Sequence, residues 1–207
     1  MSKHENPPSS GFQHPKRVCG LILKGGKSTR IGFDKSTARY QGQSFLDHSM
    51  ARLAPHCDRV AVSIGSTPLL ENIPAALQVH DAPPHEGPLA GILAGFHGLE
   101  TDYLFVLAVD LPLLTDASLR RLKSLIDVPP GAPAPLLVLA VEENDGRTQP
   151  LAGLWHQSLA APLADYLNKG KRSVMGFVDP FPVTYCPIAP NELTNVNTSA
   201  DLSFISL

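Results

Sequence analysis

A short, fully apolar run that ends in a glycine pair constrains the fold of this chain more than any other segment. Residues 18–23 carry no polar side chain, and Lys24-Gly25-Gly26 follows directly. An apolar run of this length is typical of a strand buried on both faces, the kind found in parallel sheets. Because glycine lacks a Cβ, its backbone N–H group can approach an anion closely. The segment therefore predicts a buried first strand that opens into an anion-binding loop.

Cationic side chains are clustered in the loop after the glycine pair, at Lys27, Arg30 and Lys35. Several cations on one loop suit a triphosphate better than a single carboxylate, because several phosphoryl oxygens must be neutralised together. A nucleotide is therefore the predicted ligand. The alternative interpretation is a glycine-rich turn whose lysines are simply solvated.

The residues Gly26-Lys27-Ser28 resemble the end of a P-loop, but the rest of that motif is missing. A P-loop needs a further glycine five residues before its last one, and this chain has Leu21 there, inside the predicted strand. A P-loop also runs directly into a helix, whereas this loop reaches Lys35 before any helical pattern begins. The sequence therefore does not predict a P-loop.

The composition predicts one α/β domain at residues 17–207, preceded by a disordered lead-in at residues 1–16. The 207 residues are 43% hydrophobic, which is enough for one full core, whereas residues 1–16 are polar and rich in Pro, Ser and His. The net charge of −2 argues against nucleic acid as a partner. The widely spaced Cys19, Cys57 and Cys186 are expected to be buried thiols in a reducing compartment. No run approaches the ~20 apolar residues of a membrane helix, so we expect no membrane contact and a cytoplasmic protein.

Short apolar runs alternate with stretches of helical spacing along the chain. This alternation predicts a mostly parallel sheet covered by helices on both faces, a three-layer α/β fold. Strands are predicted at residues 18–23, 59–64, 77–80, 103–109 and 136–141, and helices at residues 45–53, 89–99 and 119–126. Ser44 and Asp116 are the predicted N-caps of the first and third helices. The Pro-rich residues 128–135 are interpreted as a connection within the domain.

Two carboxylates follow predicted strands, where ligands bind in open parallel sheets. Asp81 comes after the third strand and Asp110 ends the fourth. Magnesium takes only one or two protein carboxylates and keeps several waters, so Asp110 alone could hold Mg²⁺ against nucleotide phosphates. The alternative is an aspartate that merely caps the next turn.

Two further segments carry candidate binding groups. The turn at residues 86–91 leads into a helix whose N-terminus could meet a base or a phosphate, although ordinary turn chemistry explains it equally well. Asn195 and Asn197 lie on one side of an extended chain and could read a polar heterocycle, or could form an Asx-turn. His80, His85 and His97 show no metal-ligand spacing and are assigned no catalytic role.

Several motifs in order resemble the molybdenum cofactor guanylyltransferase family. They cover roughly residues 18–206, and together they are far more specific than any one alone. The matching pieces are Leu-x-Gly-Gly-x-Ser-x-Arg-x-Gly-x-Asp-Lys from Leu23, Asp81, Gly87-Pro88-Leu89-Ala90-Gly91, Asp110-Leu111-Pro112, Gln149-Pro150-Leu151, Leu167-x-x-Gly170-x-Arg172-x-Val174-x-x-Phe177 and Asn195-Val196-Asn197-Thr198.

The resemblance implies a Rossmann-like nucleotidyltransferase fold and transfer of GMP from Mg·GTP to the phosphate of molybdopterin, with release of pyrophosphate. It also implies transient contacts with other proteins of molybdenum-cofactor synthesis. By the same resemblance, the catalytic residues are Arg30, Lys35 and Asp110, and Asp110 holds the metal. The nucleotide would bind to Leu23, Lys24, Gly25, Gly26, Lys35, Ser63, Asp81, Pro88, Leu89 and Asp110, and the pterin to Asn195 and Asn197.

The chain departs from the family pattern at two of these positions. Lys24 stands where alanine is usual, and Ser63 stands where asparagine is often found. Related cytidylyltransferases usually carry Ala-Ala-Gly in place of Lys24-Gly25-Gly26, which favours GTP over CTP here. The alternatives are a nucleotidyltransferase that uses CTP or a sugar-phosphate acceptor, and a non-catalytic GTP-binding module.

Replacement of Lys35 tests the predicted phosphate loop. We expect Lys35→Ala to weaken GTP binding by ~1.5–3 kcal/mol, because a charge-assisted hydrogen bond would be lost. Isothermal titration calorimetry of both proteins with GTP measures the difference. An unchanged dissociation constant would remove Lys35 from the site.

Overall fold

The computed structural model describes residues 15–24, 39–40, 42–65, 67–81, 87–129, 131–196 and 201. The strands are β1 (Val18–Leu23), β2 (Arg39–Tyr40), β3 (Gln43–Ser44), β4 (Arg59–Gly65), β5 (Gln78–His80), β6 (Tyr103–Ala108), β7 (Leu137–Glu142), β8 (Thr148–His156) and β9 (Val183–Ile188). The helices are α1 (Phe45–Leu53), α2 (Pro88–Gly98), α3 (Asp116–Ser124), α4 (Ala160–Asn168) and α5 (Val174–Val178). Short 3-10 turns occur at Ala54–His56, Ala75–Leu77, Gln157–Leu159 and Pro190–Leu193.

One seven-stranded sheet, in the order β5-β4-β1-β6-β8-β7-β9, forms the centre of the molecule. Strand β8 runs antiparallel to its neighbours β6 and β7, and the other pairings in this sheet are parallel. After β1 the chain adds β4 and β5 on one side, and it then returns to add β6 on the other. Ligands bind beyond the carboxyl ends of strands at such a reversal of strand order. The end of β1 is therefore the position for a site.

Side chains of β1 alternate between two apolar layers. Val18 and Ile22 pack into the layer that α1 and α3 cover. Cys19, Leu21 and Leu23 pack into the opposite layer, which α2, α4 and α5 cover. This alternation follows from the two-residue period of a strand, and it confirms the predicted three-layer α/β fold with a mostly parallel sheet.

Boundaries predicted from the sequence agree closely with the observed ones for β1 and α1, and Ser44 is the N-cap of α1, accepting a hydrogen bond from the Asp47 N–H at 3.1 Å. The predicted N-cap of α3 is wrong by one residue. Thr115 is the N-cap and accepts from the Ser118 N–H at 3.2 Å. Asp116 lies within the helix and accepts from Nε2 of the buried His56 at 2.8 Å, so its carboxylate serves a tertiary contact.

Strands β8 and β9 were not among the predicted strands, since each contains a proline and β8 also contains a glycine. The Pro-rich segment lies between α3 and β7, and the Tyr103 hydroxyl donates to the Pro135 carbonyl at 2.8 Å. Strands from both sides of this segment pair in the same sheet. No helix in the part of the chain described is long and apolar enough to cross a membrane.

The three cysteines are free thiols. Cys19 and Cys186 are buried as predicted, whereas Cys57 is partly exposed. Burial raises the pKa of Cys57 to about 12, so its thiol stays neutral at physiological pH. A neutral thiol is a poor nucleophile, which agrees with a structural role.

Gly153 on β8 provides a test of the sheet packing. A Cβ at this position would lie 2.1 Å from the Val138 carbonyl oxygen, which is backbone and cannot move aside. We expect Gly153→Ala to lower the free energy of unfolding by about 2–3 kcal/mol, measured by urea denaturation.

The matched control is Gly98→Ala at the exposed end of α2. Its Cβ would meet the Val79 Cγ1 atom at 3.2 Å, and alanine favours the helix, so the change should stay within about 1 kcal/mol. Equal unfolding midpoints for the two variants would contradict the packing described for β7 and β8.

Candidate active site

Backbone hydrogen bonds join the carboxyl end of β1 to β4 and to the segment after β6. The Leu23 carbonyl accepts from the Val109 N–H at 3.1 Å, and the Lys24 N–H donates to the Ser63 carbonyl at 3.4 Å. These contacts continue the pairing of β1 with β6 and β4 beyond the strands themselves. The entrance to the glycine-rich loop is therefore held between the ends of its two neighbouring strands.

A polar group lies beside β1, at the ends of β4 and β5. The Ser63 hydroxyl donates to Asp81 Oδ1 at 3.5 Å, and the Asp81 N–H donates to the Gly65 carbonyl at 3.3 Å. Ser63 is only 8% exposed, so its hydroxyl is buried below the surface at this edge of the sheet. Ser63 and Asp81, both predicted from the sequence, are thus brought together by the structure.

The first turn of α2 packs closely against Ser63 and Leu23 because Gly91 has no side chain. A Cβ on Gly91 would lie 2.4 Å from the Ser63 hydroxyl oxygen and 3.1 Å from Leu23 Cδ2. Gly87 caps the helix with a φ of 92°, and its carbonyl accepts from the N–H groups of Ala90 and Gly91. A helix N-terminus carries a partial positive charge that favours anions.

Pro88 and Leu89, both predicted to bind nucleotide, form the first turn of this helix. The Leu89 side chain is buried in the apolar layer at 1% exposure. Leu89 can therefore offer a ligand its backbone N–H but not its side chain. Pro88 lacks an N–H and is exposed, so any contact it makes uses its ring.

Asp110 follows β6 on the other side of β1 and is joined to the C-terminal part of the chain. Its carbonyl accepts from the Val196 N–H at 2.9 Å. Its Oδ2 atom accepts from the Asn195 side-chain amide at 3.1 Å, and Asn195 Oδ1 accepts from Gln149 Nε2 at 3.0 Å. The structure therefore places the predicted metal ligand Asp110 next to Asn195, which the family resemblance assigned to the pterin.

Helix α1 supports the loop that carries Asp110. The Pro112 carbonyl accepts from Arg52 Nη1 at 2.6 Å and lies 3.1 Å from His48 Nε2. Further along, the Thr115 N–H donates to Glu192 Oε2 at 2.8 Å. Sequence reasoning missed these supports, although His48 and Arg52 are four residues apart and so share one face of α1.

Burial is the main cause that holds the pKa of His48 below its usual range. The positive charge of Arg52 acts in the same direction, and the hydrogen bond to Pro112 opposes both. The neutral ring is therefore the form that the folded protein favours. With a hydrogen on Nε2, that ring donates to the Pro112 carbonyl.

The predicted phosphate ligands Gly25, Gly26, Arg30 and Lys35 and the predicted pterin ligand Asn197 lie outside the described residues, so their roles stay predictions. Within the described ranges, no group of three or more His, Cys, Asp or Glu side chains could hold a metal. That finding is compatible with a Mg²⁺ ion bound mainly by phosphates and water with one carboxylate, because Asp110 supplies a hard oxygen ligand.

The strand order and the polar side chains near the ends of β4, β5 and β6 agree with a nucleotidyltransferase, as does the glycine-rich sequence that follows β1. The family model described as "MobA-like NTP transferase domain" matches residues 20–181. The chain therefore belongs to the MobA-like NTP transferase family, as its sequence motifs predict.

Curated relatives match almost the whole chain. A "Probable molybdenum cofactor guanylyltransferase" of Chloroflexus aggregans is 30% identical over 199 residues, covering 91% of this chain and 93% of the relative. A "Molybdenum cofactor guanylyltransferase" of Ralstonia nicotianae is 31% identical over 195 residues, covering 89% and 94%. These matches confirm the resemblance to the guanylyltransferases.

Solved structures show the same fold. Molybdopterin-guanine dinucleotide biosynthesis protein A of Archaeoglobus fulgidus superposes with a TM-score of 0.68 at 20% identity, covering 91% of this chain and 96% of its own. The 2-C-methyl-D-erythritol 4-phosphate cytidylyltransferase of Thermus thermophilus superposes with a TM-score of 0.65 at 14% identity, covering 92% and 97%. At these identities the likeness is one of fold alone.

Gly91→Ala tests the close approach of α2 to β4. The added methyl group would meet the Ser63 hydroxyl, so we expect a loss of about 1–3 kcal/mol in the free energy of unfolding. In the Ser63→Ala background the nearest atom is gone, so Gly91→Ala should cost clearly less there. A double-mutant cycle by urea denaturation measures this coupling, and strictly additive losses would contradict the contact.

His48 predicts a pH dependence of stability. The unfolded chain takes up a proton on this ring near pH 6.5, whereas the folded protein resists it because the folded pKa is lower. The contribution of His48 is therefore present above about pH 6.5 and is lost as the pH falls from there toward the folded pKa.

Thermal unfolding of the wild type and His48→Gln between pH 7.5 and 5 measures this effect. The variant should lose less stability over that range than the wild type. The pKa of His156 is also lowered, chiefly by burial, so the variant should keep part of the slope. Identical slopes in the two proteins would contradict the role given to His48.

Proposed function

We propose that this protein transfers GMP from GTP to the phosphate of molybdopterin, forming molybdopterin guanine dinucleotide and pyrophosphate. The names and near-complete coverage of the curated relatives support this activity. The structural observation that carries it is the position of Asp110, Leu23 and Ser63 at one edge, where the end of β1 is hydrogen-bonded to β4 and to the segment after β6. A site for phosphoryl transfer needs a metal-binding carboxylate and a phosphate-binding loop together.

The nucleotide would bind at the ends of β1, β4 and β5. The backbone from Leu23 through Lys24, Gly25 and Gly26 and the N-terminus of α2 would receive the phosphates and ribose, with Arg30 and Lys35 as counter-charges. Ser63 and Asp81 would line the base side. An ionised carboxylate only accepts hydrogen bonds, and guanine presents an exocyclic amino group as donor, so Asp81 complements guanine.

The acceptor would approach from the side of Asp110, Asn195 and Asn197. An oxygen of its phosphate monoester is already anionic near neutral pH and needs no general base. That oxygen forms a bond to the α-phosphorus of GTP, and the bond from this phosphorus to the oxygen bridging to the β-phosphorus breaks, with its electron pair leaving on pyrophosphate. Arg30 and Lys35 would stabilise the charge that develops on the phosphoryl oxygens.

Asp110 is the residue that would hold Mg²⁺, which when bound would neutralise phosphate charge. The chain itself keeps Asp110 in place through the backbone bond from Val196 and the support of the Pro112 carbonyl by α1.

We place the reaction in the cytoplasm, with transient contacts to other proteins of molybdenum-cofactor synthesis and none to nucleic acid or membranes. The net charge of −2 supports the absence of nucleic acid.

The direct experiment combines the purified protein with Mg²⁺, molybdopterin and GTP, and detects pyrophosphate and the dinucleotide by mass spectrometry. Parallel reactions with CTP, and with a sugar phosphate in place of molybdopterin, test the alternative substrates. We expect product from GTP and molybdopterin well above every other pair. Tight GTP binding without any turnover would instead favour the non-catalytic module.

Asp110→Ala is expected to lower transfer by at least ~100-fold, because a charge-neutralising group at the reacting phosphates is lost. The fold should persist, since the bond from Val196 uses the backbone carbonyl of residue 110. Initial rates with Mg²⁺ and circular dichroism measure the two properties. The matched control, Asp165→Ala on the exposed face of α4, should match the wild type in both. Unchanged turnover by Asp110→Ala would disprove the metal assignment.

A further inference from the structure

We propose that Gln149 is a positioning residue, whose side-chain amide sets the orientation of the Asn195 amide and so directs the Asn195 amino group at Asp110. The proposed chemistry does not use Gln149. The inference rests on the proposed function for its catalytic consequence, but its structural part can be tested without turnover.

Three side chains form a chain of hydrogen bonds that ends at the proposed metal ligand. Gln149 Nε2 donates to Asn195 Oδ1 at 3.0 Å, and Asn195 Nδ2 donates to Asp110 Oδ2 at 3.1 Å. The members come from β8, the segment after the Pro190–Leu193 turn, and the segment after β6. Asn195 itself is exposed, so packing alone does not hold its side chain.

The chemistry of the three groups permits one arrangement of this chain. An ionised carboxylate only accepts hydrogen bonds, so Asn195 must turn its amino group toward Asp110. The Asn195 carbonyl oxygen then faces Gln149, whose side-chain amino group must donate the hydrogen bond to it. Without a donor at residue 149, only the single bond to Asp110 would hold the exposed Asn195 amide in this orientation.

A shift in the register between β7 and β8 lies next to Gln149 and affects how its side chain is directed toward Asn195. One step along β7, from Leu139 to Ala140, corresponds on β8 to the longer step from Gly153 to Gln149. The three extra residues are Pro150 to Ala152. Bulges of this kind commonly re-aim side chains beside active sites.

Trp155 holds this bulge in place. Its indole N–H donates to the Pro150 carbonyl at 3.3 Å. The Trp155 side chain is fully buried, and its ring stacks on that of Phe177 with centroids 5.9 Å apart. The backbone that carries Gln149 is therefore anchored in the apolar layer, which makes Gln149 a rigid support for the exposed Asn195.

The structural part is tested by NMR of the side-chain amide of Asn195, assigned by its loss in Asn195→Asp. Gln149→Met keeps the length of the side chain and removes the donor. We expect solvent exchange of the Asn195 amide hydrogens to rise about tenfold in Gln149→Met, since the orientation of that amide is no longer held. Thr148→Val, the adjacent change on β8, should leave the exchange unchanged. Unaltered exchange in Gln149→Met would overturn the proposal whether or not the protein transfers GMP.

Gln149→Glu provides a second variant, should Gln149→Met fail to fold. Its carboxylate has nearly the shape of the glutamine side chain but can only accept, so it should draw the Asn195 amino group away from Asp110. The same exchange measurement should then change at least as much as in Gln149→Met. If Gln149 served packing alone, this near-isosteric variant would resemble the wild type, and that result would overturn the proposal.

The catalytic part is tested by a double-mutant cycle on the transfer rate. Gln149→Met should lower kcat about tenfold while the KM for GTP stays within about twofold, because the change lies away from the nucleotide. In the Asn195→Ala background, Gln149→Met should have almost no further effect, since Gln149 acts through Asn195. Equal losses in both backgrounds would overturn the proposal. If the wild type shows no transfer at all, the proposed function fails, and the NMR result still decides the structural claim.

Discussion

The parallel pairing of β1 with both β4 and β6 is the interaction on which the rest of the structure depends. It brings the carboxyl ends of three strands to one edge, where the end of β1 is hydrogen-bonded to β4 and to the segment after β6. Both faces of β1 are buried, so its register is set by two apolar layers at once. Any slip of β1 would break the backbone contacts of Leu23 with Val109 and of Lys24 with Ser63 together.

Support for the site comes from outside the segments that carry its chemistry. Helix α1 holds the Pro112 carbonyl through Arg52, and the absence of a side chain on Gly91 lets α2 reach the Ser63 hydroxyl. Strand β8 supplies Gln149, which donates a hydrogen bond to Asn195, and Asn195 in turn donates one to Asp110. These contacts rigidify the edge, which is what transfer between two bound phosphates requires of a protein.

The sequence predicted the fold class, the five strands built from continuous apolar runs and the residues that follow them, because burial on both faces leaves a strong local signal. It missed β9 and did not bound β8, since Pro187, Pro150 and Gly153 interrupt their patterns. It also placed the α3 cap at Asp116, because Thr115 and Asp116 are both good caps. Only the structure shows that Thr115 accepts from the Ser118 N–H while Asp116 contacts His56.

By itself, the sequence determined the parallel three-layer fold, the glycine-rich loop after β1 and the candidates Asp81, Asp110 and Asn195, since strand periodicity and residue chemistry are local properties. The family resemblance added Ser63. Only the tertiary structure decided that Asn195 contacts Asp110 and that Gln149 donates to Asn195. It also decided that His48 and Arg52 contact the Pro112 carbonyl. The physical reason is that these contacts join residues far apart in the chain. Their geometry depends on strand order, on the bulge in β8 and on two packed layers, none of which a local pattern encodes.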